Sequence, residues 1–270
     1  SNRSKNMEPK PAAPLKHTSK SQKLAKLRRL VARFEPGVAH GPYIQTGFAD
    51  IDAYLRQQVV PAGLPCGGLH EVVATRVGDM PAALGFAHRL AVRFLDRPHT
   101  QDMLLYGQTH MACREAGQPY GPALPAHGLS ADRLVYIDGA RLPDLLWAGE
   151  EALLCSAIGC IVLSSWDEAP SFTASRRLSL AARAAERPLV MALGAQAGGS
   201  ASAATTRWQV EALPQQGWHV RLAKLRMSYT ATPPPEGWRL YPQSLSQNSA
   251  QNILQSQPRG QAASRTARAG

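Results

Sequence analysis

The chain has 270 residues, 44% of them hydrophobic, enough for one large core or two small ones, and it contains no run of about 18 apolar residues of the kind a membrane-spanning helix needs. Its formal charge of +11 is unevenly placed: residues 1–34 hold ten Lys or Arg against the single Glu8, residues 241–270 hold Arg259, Arg265 and Arg268 with no acid, and the stretch between has 17 basic residues against 18 acidic. A near-neutral middle excludes a dedicated DNA binder with a global basic groove, and leaves the tails either to attract phosphate or an acidic partner or simply to solubilise.

Residues 1–22, with Pro9, Pro11 and Pro14 among Lys, Ser and Ala, cannot bury enough apolar surface to order themselves and are expected to be a disordered basic tail. Over residues 23–35, Leu24, Leu27, Val31 and Phe34 recur at helical spacing, with Lys23, Lys26, Arg28, Arg29 and Arg33 around them. That pattern predicts a basic amphipathic helix closed by Pro36 and Gly37. The apolar stripe is a candidate interface, and the five cations are candidates for weak, nonspecific binding of single-stranded DNA.

Residues 36–241 read as one core domain. After a loop and the short segment TGFADIDAYL, Leu69–Val73 reads as a buried strand and Pro81–Leu95 as a helix. Met103–Tyr106, Leu134–Ile137, Cys160–Leu163 and Leu189–Ala192 are further short apolar strands, with helical stretches at Pro143–Ser156 and Phe172–Glu186. Strands alternating with helices imply an α/β fold with a largely parallel sheet covered on both faces. RWQVEAL, WHVRLAKL and GWRLY alternate with period two and suit an antiparallel edge. Trp147 and its neighbouring leucines read as the core face of a helix. Residues 242–270, rich in Gln, Ser and Ala, are expected to be a second disordered tail. The cysteines, Cys66, Cys113, Cys155 and Cys160, form no CxxC pair and have no suitably spaced His partners, so no metal site is expected and buried, reduced thiols are. The basic, polar start lacks an apolar signal core, and a cytoplasmic protein is the expectation.

TGFADIDAYL followed by GLPCGGLHEVV resembles the entry to the ATPase core of RecA-type recombinases. GLPCGGLHEVV, then LWAGEEALLCSAIGCIVLSSW, then ASRRLSLAARAA resemble the ImuA family, the RecA-like members of bacterial translesion mutagenesis cassettes, over roughly residues 24–240. The resemblance implies a RecA-like three-layer α/β/α fold with a mostly parallel sheet and antiparallel edge strands. It also implies an accessory role in SOS-induced translesion DNA synthesis, joining an ImuB-like, Y-family-like polymerase homologue and an error-prone replicative-type DNA polymerase at damaged DNA. RecA or a second copy of the chain are further partners in that picture. Two other functions compete: a divergent DNA-dependent ATPase or recombinase paralogue, and a SulA-like cell-division inhibitor.

The departures from RecA decide against an enzyme. A phosphate loop needs glycines for close backbone approach, a Lys for the phosphates and a Ser or Thr hydroxyl for magnesium. The window here reads ATRVGDMPAALGF, with Met80 in the Lys position and Pro81 in the hydroxyl position, and there is no Lys between Lys26 and Lys224. The degenerate positions are Arg76, Gly78, Asp79, Met80 and Pro81. Arg76 reads either as a phosphate contact or, more simply, as an unpaired surface arginine. Ser164 and Ser165 stand where a metal-supporting carboxylate is needed, and Gln108 and Thr109 where a base is needed. Neither ATP hydrolysis nor a cofactor is therefore expected. Of the two loops that would meet DNA, SSWDEAPSFTA has acids and no cation, and GAQAGGSASAATT reads as flexible and uncharged until Arg207. Lys224 and Arg226, two apart on a strand, point the same way, toward a partner subunit by resemblance or toward solvent. His70-Glu71 lacks the second His of a metalloprotease helix.

Overall fold

A computed structural model describes residues 41–59, 61–96, 103–215, 217–226 and 233–241. The chain divides into two units, residues 1–38 and 39–270, and all described residues belong to the second. The basic helix expected over residues 23–35 and both tails lie outside the described residues.

A two-stranded antiparallel ribbon, β1 (Tyr43–Ile44) and β2 (Leu64–Pro65), brackets a helix, α1 (Ala49–Gln58). The TGFADID segment thus folds as a helix start, a feature its short length had hidden. The buried Asp52 carboxylate accepts from the Thr46 amide at 2.7 Å, the Thr46 hydroxyl at 2.8 Å and the Gly47 amide at 3.1 Å, so one carboxylate fixes the turn that launches the helix.

The main sheet is built from β3 (Gly68–Ala74), then α2 (Met80–Leu95), β4 (Met103–Thr109), α3 (His110–Ala116), β5 (Leu134–Gly139), α4 (Leu142–Leu154), β6 (Ile158–Ser165), α5 (Phe172–Ala184), β7 (Pro188–Leu193), β8 (Thr206–Leu213), β9 (Gly217–Leu225) and β10 (Trp238–Leu240). The strand order is β10-β9-β8-β3-β7-β6-β4-β5. β3, β6 and β7 are buried along their whole length, which is why β7 and most of β6 read as apolar runs, while β3 buries His70 and Glu71 among its apolar residues. The period-two segments pair antiparallel with one another as expected, but only β9 is reversed: β8 runs parallel to β3, and β10, antiparallel to β9, returns to the direction of β8. Period two marks a half-exposed strand and carries no information on direction.

Helices α4 and α5 cover one face over Leu69, Val73, Ile161, Leu163, Leu189 and Met191. Helix α2 packs on β3, β6 and β7, and an aromatic group of Phe48, Phe86, Trp208 and Trp218 ties it to β8 and β9. Gly149 lets α4 lie close to the sheet, since a Cβ there would stand 2.9 Å from the Leu163 side chain.

Trp147 corrects the expectation of a core-facing position: it is 63% exposed. Leu142, Leu145, Leu146, Gly149, Ala152 and Leu153 form the buried face of α4. One residue beyond Leu146 is about 100° around the helix, which turns the indole outward. Cys155 is likewise exposed and Cys113 half-buried, so only Cys66 and Cys160 are the buried thiols expected. Among the described residues no helix is long and apolar enough to cross a membrane.

Candidate functional site

The strand–loop–helix unit β3, residues 75–79 and α2 stands at the middle of a parallel sheet, on the edge where its strands end. Open α/β sheets hold phosphate ligands there, on the helix N-terminus. In this chain the loop carries its own anion. Asp79, nearly buried, accepts from the Arg76 amide at 2.9 Å and from the Arg76 Nε at 3.1 Å with one oxygen, and from the Ala212 amide at 3.0 Å with the other. Arg76 is neither a free phosphate contact nor an unpaired surface cation, because its guanidinium also meets Glu211 at 2.7 Å. The hydrogen bond with Asp79, followed by the charges of Asp79 and Glu211, raises its pKa further. At Gly78 a Cβ would meet nothing within 4 Å, so this glycine answers no close approach of backbone to another group. Met80 opens α2 fully buried, and Pro81 follows as its second residue, where the missing N–H breaks no helical bond.

The neighbouring strand tips hold neutral side chains. Gln108 and Ser164 sit opposite each other on β4 and β6. Gln108 is buried and donates to the Gly117 carbonyl at 3.2 Å, and Thr109 caps α3 by accepting from the Ala112 amide at 3.2 Å. The hydroxyls of Ser164 and Ser165 are buried without a hydrogen-bond partner among the described residues. Asp167 and Glu168 lie exposed on the turn beyond. Gly194, at the end of β7, passes the Trp166 carbonyl so closely that a Cβ would stand 1.9 Å from it.

The segment read as a flexible second loop is pinned. The Ser202 hydroxyl bonds the Glu71 carboxylate, and the Arg207 Nε meets the same carboxylate at 2.6 Å. Arg207 also donates to the Ser200 carbonyl at 2.6 Å, Lys224 to the Ser202 carbonyl at 2.6 Å and Arg226 to the Ala203 carbonyl at 3.4 Å. Lys224 and Arg226 do share a direction, and what they meet there is this loop. Burial lowers the Lys224 pKa, against the pull of Glu71. A Gly-Ser composition suggests mobility, but cations from β8 and β9 satisfy the loop carbonyls. Sequence reading missed Glu71 as their anchor, since it treated His70-Glu71 only as a fragment of a metal motif. His70 lies on the opposite face, fully buried between the Thr206 hydroxyl at 2.9 Å and the Pro65 carbonyl at 3.0 Å, and burial pushes its pKa down to about 4.

Among the described residues no three His, Cys, Asp or Glu side chains are grouped to hold a metal. The described surface also carries large apolar side chains, among which Trp147 and Leu154 on α4 and Leu180 on α5 are more than half exposed. The Glu150–Arg177 ion pair, 2.5 Å long, joins the two helices there, and Glu150 lies one turn from both Trp147 and Leu154. Of the positions singled out in the sequence, Arg76, Gly78, Asp79, Met80 and Pro81 come together at one loop, and Lys224 and Arg226 at another. Leu24, Leu27, Val31, Phe34, Lys23, Lys26, Arg28, Arg29 and Arg33 lie outside the described residues.

These features define an α/β protein with a mostly parallel eight-stranded sheet, in which Asp79 holds the turn between the central strand and the helix that follows it. Neither the protein-family models nor the curated proteins compared with the chain give a match.

Proposed function

We propose that the chain is a RecA-like protein of the ImuA type, a non-catalytic adaptor in SOS-induced translesion DNA synthesis that joins an ImuB-like polymerase homologue and an error-prone DNA polymerase. The observation that carries the non-catalytic part is the Asp79 carboxylate. It takes the loop amide and guanidinium that a phosphate would need, and places negative charge where a triphosphate would bring more. Met80, Pro81, Ser164 and Thr109 support the same reading, since none of them supplies a phosphate-binding cation or a metal-binding carboxylate. The sheet order and the central strand–loop–helix support the RecA-like fold. The exposed Trp147, Leu154 and Leu180, on two helices joined by the Glu150–Arg177 pair, support an adaptor, because large apolar side chains gathered on a surface mark protein contacts.

Thermal unfolding with and without magnesium and ATP tests the first part. A ligand at a hundred times its Kd stabilises a protein by about 2.7 kcal/mol, and no such shift is expected at millimolar ATP. A clear upward shift together with hydrolysis stimulated by single-stranded DNA would replace this reading with the ATPase or recombinase paralogue. Co-purification with a polymerase homologue tests the second part, and capture of a cell-division filament protein instead would favour the SulA-like alternative.

A further inference from the structure

One face of the three-stranded end of the sheet is a rank of cations. The register sets Arg207 opposite Lys224, Gln209 opposite Arg221, and His219 between Glu211 and Arg239. Residues directly opposite in neighbouring strands project to the same side of a sheet, so these side chains share one face. A register shift between Arg207 and Trp208 brings Lys224 into the rank. The reverse face of the same strands is core, with Trp208, Val210, Val220, Leu222, Trp238 and Leu240 all buried. Residues 206–241 hold five cations, Arg207, Arg221, Lys224, Arg226 and Arg239, against two acids, Glu211 and Glu236, within a chain whose middle is otherwise slightly acidic.

The cations differ in what they are doing. Arg207 is neutralised by Glu71, and Lys224 holds a loop carbonyl. Arg221 and Arg239 are exposed and have no carboxylate partner among the described residues. Arg221 rests on the neutral Gln209 amide oxygen at 2.5 and 3.0 Å. Arg239 flanks His219, whose nearest carboxylate, Glu211, is 3.8 Å away and already bonded to Arg76. Arg221 and Arg239 stand on neighbouring strands, two residues apart in register, so an anion laid across the strands meets both.

We propose that this open face of β8–β10 binds the phosphate backbone of single-stranded nucleic acid, with Arg221 and Arg239 as the phosphate contacts. Strands about 4.8 Å apart present such cations in a shallow, repeating array, which suits an extended polyanion better than a small ligand needing a pocket. Tyr241, 37% exposed at the end of β10, and the His219 ring add planar groups beside the cations on which bases can stack. An acidic peptide would use the charges and leave the rings idle. The proposal does not depend on the adaptor reading, since Arg221 and Arg239 take no part in the Asp79 loop, which reaches this end of the sheet only through Glu211 and the Ala212 amide.

The test uses the full chain, a fluorescent oligodeoxythymidine, and anisotropy titrations across a series of salt concentrations. Replacing both Arg221 and Arg239 by Ala should weaken binding several-fold and flatten the log–log salt slope by about 1.4, at roughly 0.7 per phosphate contact on a single strand. Tyr241→Ala should weaken binding without changing the slope. Both variants should melt as the parent does. An unchanged slope in the double variant overturns the proposal, above all if the Lys23, Lys26, Arg28 and Arg29 to Ala variant removes binding altogether. So does a poly-glutamate peptide that binds the face as tightly as the oligonucleotide while Tyr241→Ala has no effect, since the face would then belong to an acidic protein segment. ATP binding or hydrolysis would sink the adaptor reading and leave this outcome untouched.

Discussion

Two regions of the molecule treat their polar and apolar groups in opposite ways. Along the edge where the parallel strands end, the loop after β3 spends its donors on Asp79 and the loop after β7 spends its carbonyls on Arg207, Lys224 and Arg226. On the outer side of α4 and α5, Trp147, Leu154 and Leu180 are left uncovered among the described residues. At the edge that serves as a ligand site in many α/β proteins the two loops are bonded internally, although the Ser164 and Ser165 hydroxyls at the tip of β6 have no partner among the described residues, while large apolar side chains stay exposed on the helix surface.

The largest expected effect breaks the satisfied side. Arg207→Ala takes the cation from the buried Glu71 carboxylate and frees the Gly198 and Ser200 carbonyls, and loss of one partner of a buried ion pair costs about 3–5 kcal/mol. Chemical denaturation should show it. A loss under about 1 kcal/mol would mean that solvent already reaches the loop. Because Arg207 is structural, its removal should also disturb any function of the loop through folding and not through a lost phosphate contact.

Acid should act next. The unfolded chain protonates His70 near its ordinary value of 6.5, whereas the folded protein does so only near 4, so between those values the unfolded state binds more protons. Stability is complete above about pH 6.5 and falls as the pH drops toward 4, by on the order of 3 kcal/mol for this one group. His88, also buried and pushed down to about 4 by burial and by its neighbours His127 and Arg89, acts in the same direction. His70→Gln should shrink the loss in a pH series of melting temperatures. An equal loss in that variant would assign the acid sensitivity elsewhere.

A smaller effect sharpens the reading of the central loop. Asp79→Ala leaves the Ala212 amide without its acceptor and should cost about 1–3 kcal/mol. It should not create ATP hydrolysis, because no Lys or carboxylate appears at Met80, Pro81, Ser164 or Thr109. The smallest effect on stability belongs to the uncovered side. The Trp147→Ala and Leu154→Ala double variant should melt within about 0.5 kcal/mol of the parent, as exposed substitutions do, and yet lose capture of the polymerase homologue. Retained capture would remove α4 from the interaction surface.

What the sequence determined by itself was the alternation of strand and helix, because burial on both faces of a parallel sheet writes apolar runs at β6 and β7 and helical spacing appears in α2. It also determined that the helix after β3 opens on Met80 and Pro81, which supply neither a cation nor a hydroxyl in any conformation. It suggested the right direction for Lys224 and Arg226 but could not say what they meet. The rest was decided by residues far apart in the chain. Asp79 reaches Ala212, Glu71 reaches Arg207, and β8 chooses β3 as a parallel neighbour. Hydrophobic periodicity reports only whether a residue turns inward or outward, and for Trp147 a step of one position around the helix was enough to reverse even that. Charge pairing, loop anchoring and the gathering of cations on one face of β8–β10 depend on strand order and register, which only the folded sheet fixes.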